Sequence, residues 1–453
     1  MPTTNMPTID VGDIQATVLR PRPSPYRGQY VVLRIDDAAQ GREMLRRILP
    51  HVAPAADWWA PTLPGWLGIA FTYEGLKALG VPQTSLESFP SEFREGMAGR
   101  ALLLNDVGTN DPGNWEYPFG TADMHVALAI YSKDDQSLET VLERARQSHH
   151  ELPGISVVYR LKFSELPGGR NPFGFKDGLH NPHVEGSGTP VHPGNGPQIK
   201  TGEFIMGYPD ELGAISTSPE PEVLRRNGTF LAFRKFHTRV AELRKYIREQ
   251  ASSPEEEELI AAKMVGRWRS GAPLVLAPAR DDSKLGADAD RNNTFCYQDD
   301  AQGLKCPFSS HIRRVNPRDA LKNDLVATNL HHFLRRGTNY GAPLPEGVLE
   351  DDGVDRGGVF LLIGAHLKRQ FEFVQSQWIT DGNFISHGRE QDPILGTDVG
   401  DGIFTIPRRP VRRRLHGLPQ FVTVRGGEYC FMPGLRALEW MANLNAGVDR
   451  ERT

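Results

Sequence analysis

The stretch Met124-His-Val-Ala-Leu-Ala-Ile-Tyr131, with Gln136-Ser-Leu-Glu-Thr-Val-Leu-Glu-Arg-Ala-Arg-Gln-Ser-His149 and Ile155-Ser-Val-Val-Tyr-Arg-Leu161 after it, decides the fold. The first segment is a short apolar run and reads as a strand. In the second, Leu138, Val141, Leu142 and Ala145 recur at helical spacing and form one apolar face. The third is again strand-like. Upstream, Tyr30-Val-Val-Leu-Arg-Ile35 is a strand followed by a helix from about Ala38 to Leu49. Trp66-Leu-Gly-Ile-Ala-Phe-Thr72 is a strand followed by the shorter helix Tyr73 to Leu79. Strand, helix, strand, strand, helix, strand is the ferredoxin-like order, with the helix after the second strand added to it.

The pattern restarts downstream. Gly228 to Arg234 reads as a strand, and Val240 to Gln250 as a helix. Pro254 to Val265 is a helix whose acidic first turn, Glu255 to Glu258, suits the positive end of its dipole. Val359 to Gly364 is a strand and His366 to Ile379 a helix. Phe421 to Arg425 and Tyr429 to Met432 read as a closing hairpin over Gly426-Gly427. The fold class is therefore α+β, with two ferredoxin-like domains over residues 1–220 and 221–453, each an antiparallel sheet with helices. A chain of 453 residues exceeds what one hydrophobic core usually supports, which agrees with that division.

Composition excludes several classes. An apolar fraction of 39% and a charged fraction of 24% are ordinary for a globular chain. A formal net charge of −4 gives no reason to expect nucleic acid as a partner. No apolar run reaches the ~20 residues needed to span a bilayer, so no membrane partner is expected. Cys296, Cys306 and Cys430 are too few for a disulfide framework, and the N-terminus shows no export signal, so a cytoplasmic location is the expectation. The C-terminal residues Asn443 to Thr453 read as a polar, frayed tail.

Two segments carry chemistry. A Gly/Pro-rich stretch from Leu166 to Gly228, with Pro193-Gly-Asn-Gly-Pro197 inside it, is centred on Asn171-Pro-Phe-Gly-Phe-Lys-Asp177-Gly178-Leu-His-Asn-Pro182. Loops of that length in a compact protein are functional or disordered. Glycines beside Asp177 let backbone approach a ligand closely, although Asp-Gly alone is a common turn dipeptide. The second is Cys306-Pro-Phe-Ser-Ser-His311-Ile-Arg-Arg-Val-Asn-Pro-Arg318, followed by Leu334-Arg335-Arg336-Gly337-Thr-Asn-Tyr-Gly341. His311 has no second histidine at helical spacing and no H-E-x-x-H motif occurs, so a zinc hydrolase finds no support. One imidazole among guanidinium groups suits an iron already held by a carboxylate-bearing macrocycle. Arg313 and Arg314 read as solvated, and Arg318 as better placed to meet a carboxylate bidentately. Adjacent helical residues point about 100° apart, so at most one of Arg335 and Arg336 enters a site.

Taken together and in order, these segments resemble the dye-decolorizing peroxidase family, its longer subgroup most. Gly202-Glu-Phe-Ile-Met-Gly-Tyr208, Arg369-Gln-Phe-Glu-Phe-Val-Gln375 and Arg425-Gly-Gly-Glu-Tyr-Cys-Phe-Met-Pro433 extend the resemblance over most of the chain. It implies a haem b peroxidase that reduces hydrogen peroxide and oxidises dyes, phenols or another organic reductant through a ferryl intermediate, with homo-oligomerisation possible. By this resemblance the haem is held mainly by the C-terminal half, with His311 as the proximal iron ligand. Asp177 and Arg335 lie on the peroxide side, Gly178 lets backbone approach, and Arg318 meets a haem propionate. Phe360, early in a strand near the expected pocket, is a candidate to pack on the haem, with ordinary core packing the equally common alternative. Thr338-Asn339 departs from the aliphatic residue and proline of many relatives, which puts the local turn in question. His311 also needs an acceptor for its other ring N–H, for which Glu372 is the candidate and a solvent-facing helix position the commoner alternative. Trp378, Tyr340 and Tyr297 are candidate electron relays as well as plausible core aromatics. A haem-binding protein for storage, delivery or iron release is the competing reading; a distal Asp and Arg argue against it.

Overall fold

The computed structural model describes residues 8–56, 64–189, 198–324, 328–384, 388–397 and 401–444. The glycine-proline run Pro193 to Pro197 and the tail beyond residue 444 lie outside the described residues.

The first half contains β1 (Arg27–Ile35), α1 (Ala38–Ile48), β2 (Gly65–Phe71), β3 (Val126–Ser132), α2 (Asp135–Gln147) and β4 (Ile155–Ser164). Strand β2 is buried along its whole length. Asp37 and Asp134 start α1 and α2 by accepting the Gln40 and Ser137 amides, each at 2.8 Å. The second half contains β5 (Thr229–Thr238), α3 (Val240–Gln250), α4 (Pro254–Val265), α5 (His311–Val315), β6 (Leu334–Arg335), β7 (Thr338–Tyr340), β8 (Gly357–Gly364) and β9 (Val422–Met432).

One nine-stranded sheet runs β4-β1-β3-β2-β9-β5-β8-β6, with β7 also paired to β8. Each end of that path is the ferredoxin-like order: β4-β1-β3-β2 from the first half, and β9-β5-β8 followed by β6 and β7 from the second. The two orders meet where Phe71 of β2 faces Phe431 of β9. The α+β reading with antiparallel sheets is thus the observed architecture. A buried ion pair also crosses between the halves: both Arg234 Nη atoms of β5 donate to Asp106.

Two expectations are corrected. Residues 422–432 form a single strand, not a hairpin, and pair with β5 from Val422↔Thr238 to Met432↔Thr229 through a register shift near Gly426. The two glycines serve packing: a Cβ at Gly426 would lie 2.3 Å from Phe119, and one at Gly427 2.3 Å from Met97 Sδ. The helix after β8 is π-helical, over Lys368–Glu372 and Val374–Ile379. The short strands β6 and β7 have no counterpart in the sequence reading, because two or three residues show no periodicity.

Candidate active site

A cavity of about 340 Å³ opens between the Asn171–Pro182 loop, strands β5 and β8, and the segments carrying His311, Arg335 and Trp378. That volume suits a small ligand or cofactor. Its walls include Phe236, Ile312, Phe360 and Trp378.

His311 lines the cavity as the first residue of α5. Its Nδ1 lies 2.8 Å from Asp392 Oδ2, and the Asp392 side chain is 0% exposed. Asp392 Oδ1 accepts the Ile394 and Leu395 amides at 2.8 and 2.9 Å. Burial raises the Asp392 carboxyl, but His311, the Leu395 amide and Arg314 outweigh it and hold it below the usual carboxylate range. The ionised acceptor makes Nδ1 the donor and leaves Nε2 as the basic nitrogen, without a protein partner among the described residues. Glu372 does not have this role. It is 1% exposed, and its Oε1 accepts from Arg100 Nε at 2.9 Å and the Tyr429 hydroxyl at 3.0 Å. The solvent-facing alternative fails as well, since the π-helix turns Glu372 inward against Arg100.

Asp177, Gly178 and Arg335 line the same cavity. Asp177 Oδ1 accepts its own neighbour's amide, Gly178 N, at 2.7 Å, and Oδ2 accepts from Arg22 Nη2 at 3.0 Å. Gly178 has φ +74°, the left-handed region that favours glycine. Arg335 has open surface yet is ringed by protein, as a side chain inside a cavity is. Burial lowers its guanidinium, Asp177 raises it and Arg22 lowers it, with a net decrease, so the three charges are coupled. Arg335 Nη2 donates to the His180 carbonyl, and its amide donates to Asn181 Oδ1 at 2.8 Å. Arg336 points the other way and is buried, donating to the Thr17 and Val18 carbonyls at 3.1 and 2.7 Å. Strand alternation, not helical rotation, separates the two side chains. Thr338 and Asn339 continue as β7, where Asn339 donates to the Tyr26 hydroxyl and the Arg170 carbonyl.

A third group gathers at another wall. Arg318, with φ +51°, donates through Nη1 to the Asn293 and Phe295 carbonyls at 2.9 and 3.0 Å and stacks 3.8 Å over the Phe295 ring. Asn293 Oδ1 accepts from Arg267 and Arg318, which turns its Nδ2 toward His180 Nδ1 as the donor. His180 therefore carries its proton on Nε2. Burial, then Arg335 and Arg318, hold it neutral, well below the ordinary histidine range. Burial likewise pushes His332, also on this wall, down to about 4. Phe360 lines the cavity with its ring 4.6 Å from Phe236.

Arg313 and Arg314 are not solvated. Arg313 pairs with Asp300 at 3.2 Å, and Arg314 donates to the Trp378, Glu390 and Asp381 carbonyls. Cys306 is buried, and burial pushes its thiol up to about 11. Trp378 and Tyr297 line the cavity; Tyr340 is buried and donates to the Phe236 carbonyl at 3.0 Å. Among the described residues, no three His, Cys, Asp or Glu side chains converge as a metal site. Nor is any helix there long and apolar enough to cross a membrane. Sequence reasoning missed Arg22, Asp392, His180 and Asn293. None belongs to a spaced motif with its partner, and Arg22 and Asp177 stand 155 residues apart.

A family profile described as the DyP dimeric alpha+beta barrel domain matches residues 13–164. The dye-decolorizing peroxidase msp1 of Mycetinis scorodonius is 31% identical over 402 residues, covering 82% of this chain and 75% of that protein. The dye-decolorizing peroxidase of Exidia glandulosa is 35% identical over 395 residues, covering 82% and 74%. A solved dye-decolorizing peroxidase in complex with 2,6-dimethoxyphenol superposes with a TM-score of 0.85 at 28% identity, over 96% of this chain and 100% of that one. The DyP-type peroxidase of Auricularia auricula-judae superposes at 0.83 and 29%, over 96% and 99%.

Proposed function

This chain belongs to the dye-decolorizing peroxidase family of haem enzymes, and on that premise we propose that its cavity binds haem b with His311 as proximal ligand and Asp177 and Arg335 acting on hydrogen peroxide. The observation that carries the reading is His311 Nδ1 held at 2.8 Å by a buried, ionised Asp392, with Nε2 left basic at the cavity wall.

The residues fit haem. Among the described residues no three metal-ligating side chains converge, and of the cavity histidines His311 is the one held by a carboxylate, which suits an iron already held in a macrocycle. The aromatic wall at Phe360 suits a flat apolar ring, and Arg318 suits a propionate carboxylate. Gly178 leaves the backbone beside Asp177 bare at the cavity wall, where it would let a flat group approach. When bound, haem supplies the redox centre at which peroxide is reduced and from which one-electron oxidation of dyes or phenols proceeds.

The protein's own groups then divide the remaining work. Asp392 accepts the Nδ1 proton of His311 in a hydrogen bond, which strengthens Nε2 as a ligand. The Asp177 carboxylate takes the proton from one peroxide oxygen and returns it to the departing one. The Arg335 guanidinium, already aimed by the His180 carbonyl, stabilises the negative charge that develops there. Passive haem storage needs neither group. Residues 1–220 supply Asp177, and 221–453 supply His311 and Arg335. A cytoplasmic location and self-association complete the proposal; three free cysteines support a reducing compartment.

Haem-loaded protein is expected to oxidise 2,6-dimethoxyphenol or a dye only with peroxide. His311→Ala should lose the Soret band, and Arg335→Leu should keep it while turnover falls by roughly 100-fold or more. Full haem occupancy in the histidine variant would overturn the ligand assignment.

A further inference from the structure

Arg22 has no place in the reading above, yet it touches the reacting carboxylate. It stands in the segment Leu19-Arg-Pro-Arg22-Pro-Ser-Pro-Tyr26 that enters β1. Its Nη2 donates to Asp177 Oδ2 at 3.0 Å, and its Nη1 donates to the Gly337 carbonyl, two residues after Arg335. Its guanidinium lies 4.7 Å from the centre of the Tyr26 ring, whose hydroxyl is fixed in turn by Asn339 Nδ2 at 3.2 Å. The side chain is 16% exposed against 40% for Asp177, so the arginine is the anchored partner of the pair. Gly178 belongs to the same arrangement: a Cβ there would come within 3.3 Å of Arg22 Nη2.

We propose that Arg22 is the positioning residue of this site, holding the Asp177 carboxylate by Oδ2 through a guanidinium that is itself anchored on the Gly337 carbonyl and the Tyr26 ring. The proposal rests on the reading of Asp177 as the peroxide proton carrier, but its first consequence concerns the carboxylate alone. The charged and titratable groups coupled to Asp177 are Arg22, Arg335 of β6 and Tyr26. Lys176 next to it is turned away, its Nζ donating to the Gly168 carbonyl at 3.1 Å. Burial lowers the Arg22 guanidinium, but Asp177 and Tyr26 outweigh it and raise it overall. Arg335 is left as the cation that can turn to the substrate, because Arg22 already occupies Oδ2. A cation beside a carboxylate favours the charged form, so removing it moves protonation to higher pH.

The test compares haem-loaded wild type with Arg22→Gln and Arg22→Lys, using Asp177→Asn to identify the Asp177 carboxyl band in infrared difference spectra. The expected result is a protonation midpoint higher by about one pH unit in Arg22→Gln and restored by Arg22→Lys. The acidic fall-off of stopped-flow peroxide reactivity should move up to the same shifted pH. An infrared midpoint unchanged in Arg22→Gln, or equally displaced in both variants, overturns the proposal. An infrared shift that peroxide reactivity does not follow leaves Arg22 as the holder of Asp177 and removes Asp177 as the peroxide group.

Discussion

Asp392 decides what His311 can be. A neutral acceptor would leave the imidazole free to adopt either tautomer; an ionised one fixes the proton on Nδ1 and makes Nε2 a stronger donor to iron. Asp392→Asn keeps the shape but removes the charge, and should cost roughly 10–100-fold in haem affinity or activity, read by haem titration and turnover. His311 and Arg318 were legible because they sit in one short segment with other chemistry-bearing side chains. Asp392 was not: it lies 81 residues from His311, in a segment without a motif, and only the chain's return past α5 brings the two together. Arg313 and Arg314 misled for a related reason. Adjacent arginines usually mean solvent, but these are buried with carbonyl and carboxylate acceptors ready.

At the scale of elements, long periodic segments announced themselves. Tyr73–Leu79 and Pro254–Val265 have the observed bounds of the sequence reading, and strands β1 to β5 and β8 differ from it only at their ends. Strand β9 is the instructive failure. Gly426-Gly427 carries a turn signal by composition, yet the strand runs through it because Phe119 and Met97 press on the backbone where side chains would stand. Gly426→Ala should therefore destabilise the protein by roughly 1–3 kcal/mol through overpacking, measured by denaturant unfolding, whereas a true turn glycine with open space around it would show little.

For the whole molecule, the continuous sheet and the pair Arg234–Asp106, each side chain 1% exposed, bind the two halves together. Asp106→Ala leaves a buried guanidinium without its carboxylate and should cost about 3–5 kcal/mol in equilibrium unfolding. Glu428 adds a pH dependence. Burial pushes its carboxyl up to about 7, against the opposing pull of the Met97 and Tyr429 amides. A folded-state value above the unfolded one means that the protonated form is favoured on folding. That contribution is complete at acid pH and is lost as pH rises from about 4.5 to about 7. Glu428→Gln should flatten this fall in melting temperature, worth up to roughly 3 kcal/mol, and an unaltered pH profile would refute the assignment. By itself the sequence determined the repeated strand–helix order, the loop with Asp177, the segment with His311 and the arginine pair, because period and spacing are properties of neighbours along the chain. Where Arg336 turns instead, what holds His311 and Asp177, and how the two sheets join were decided only by tertiary structure. Those contacts link residues tens to hundreds of positions apart, and local pattern carries no record of distance in space.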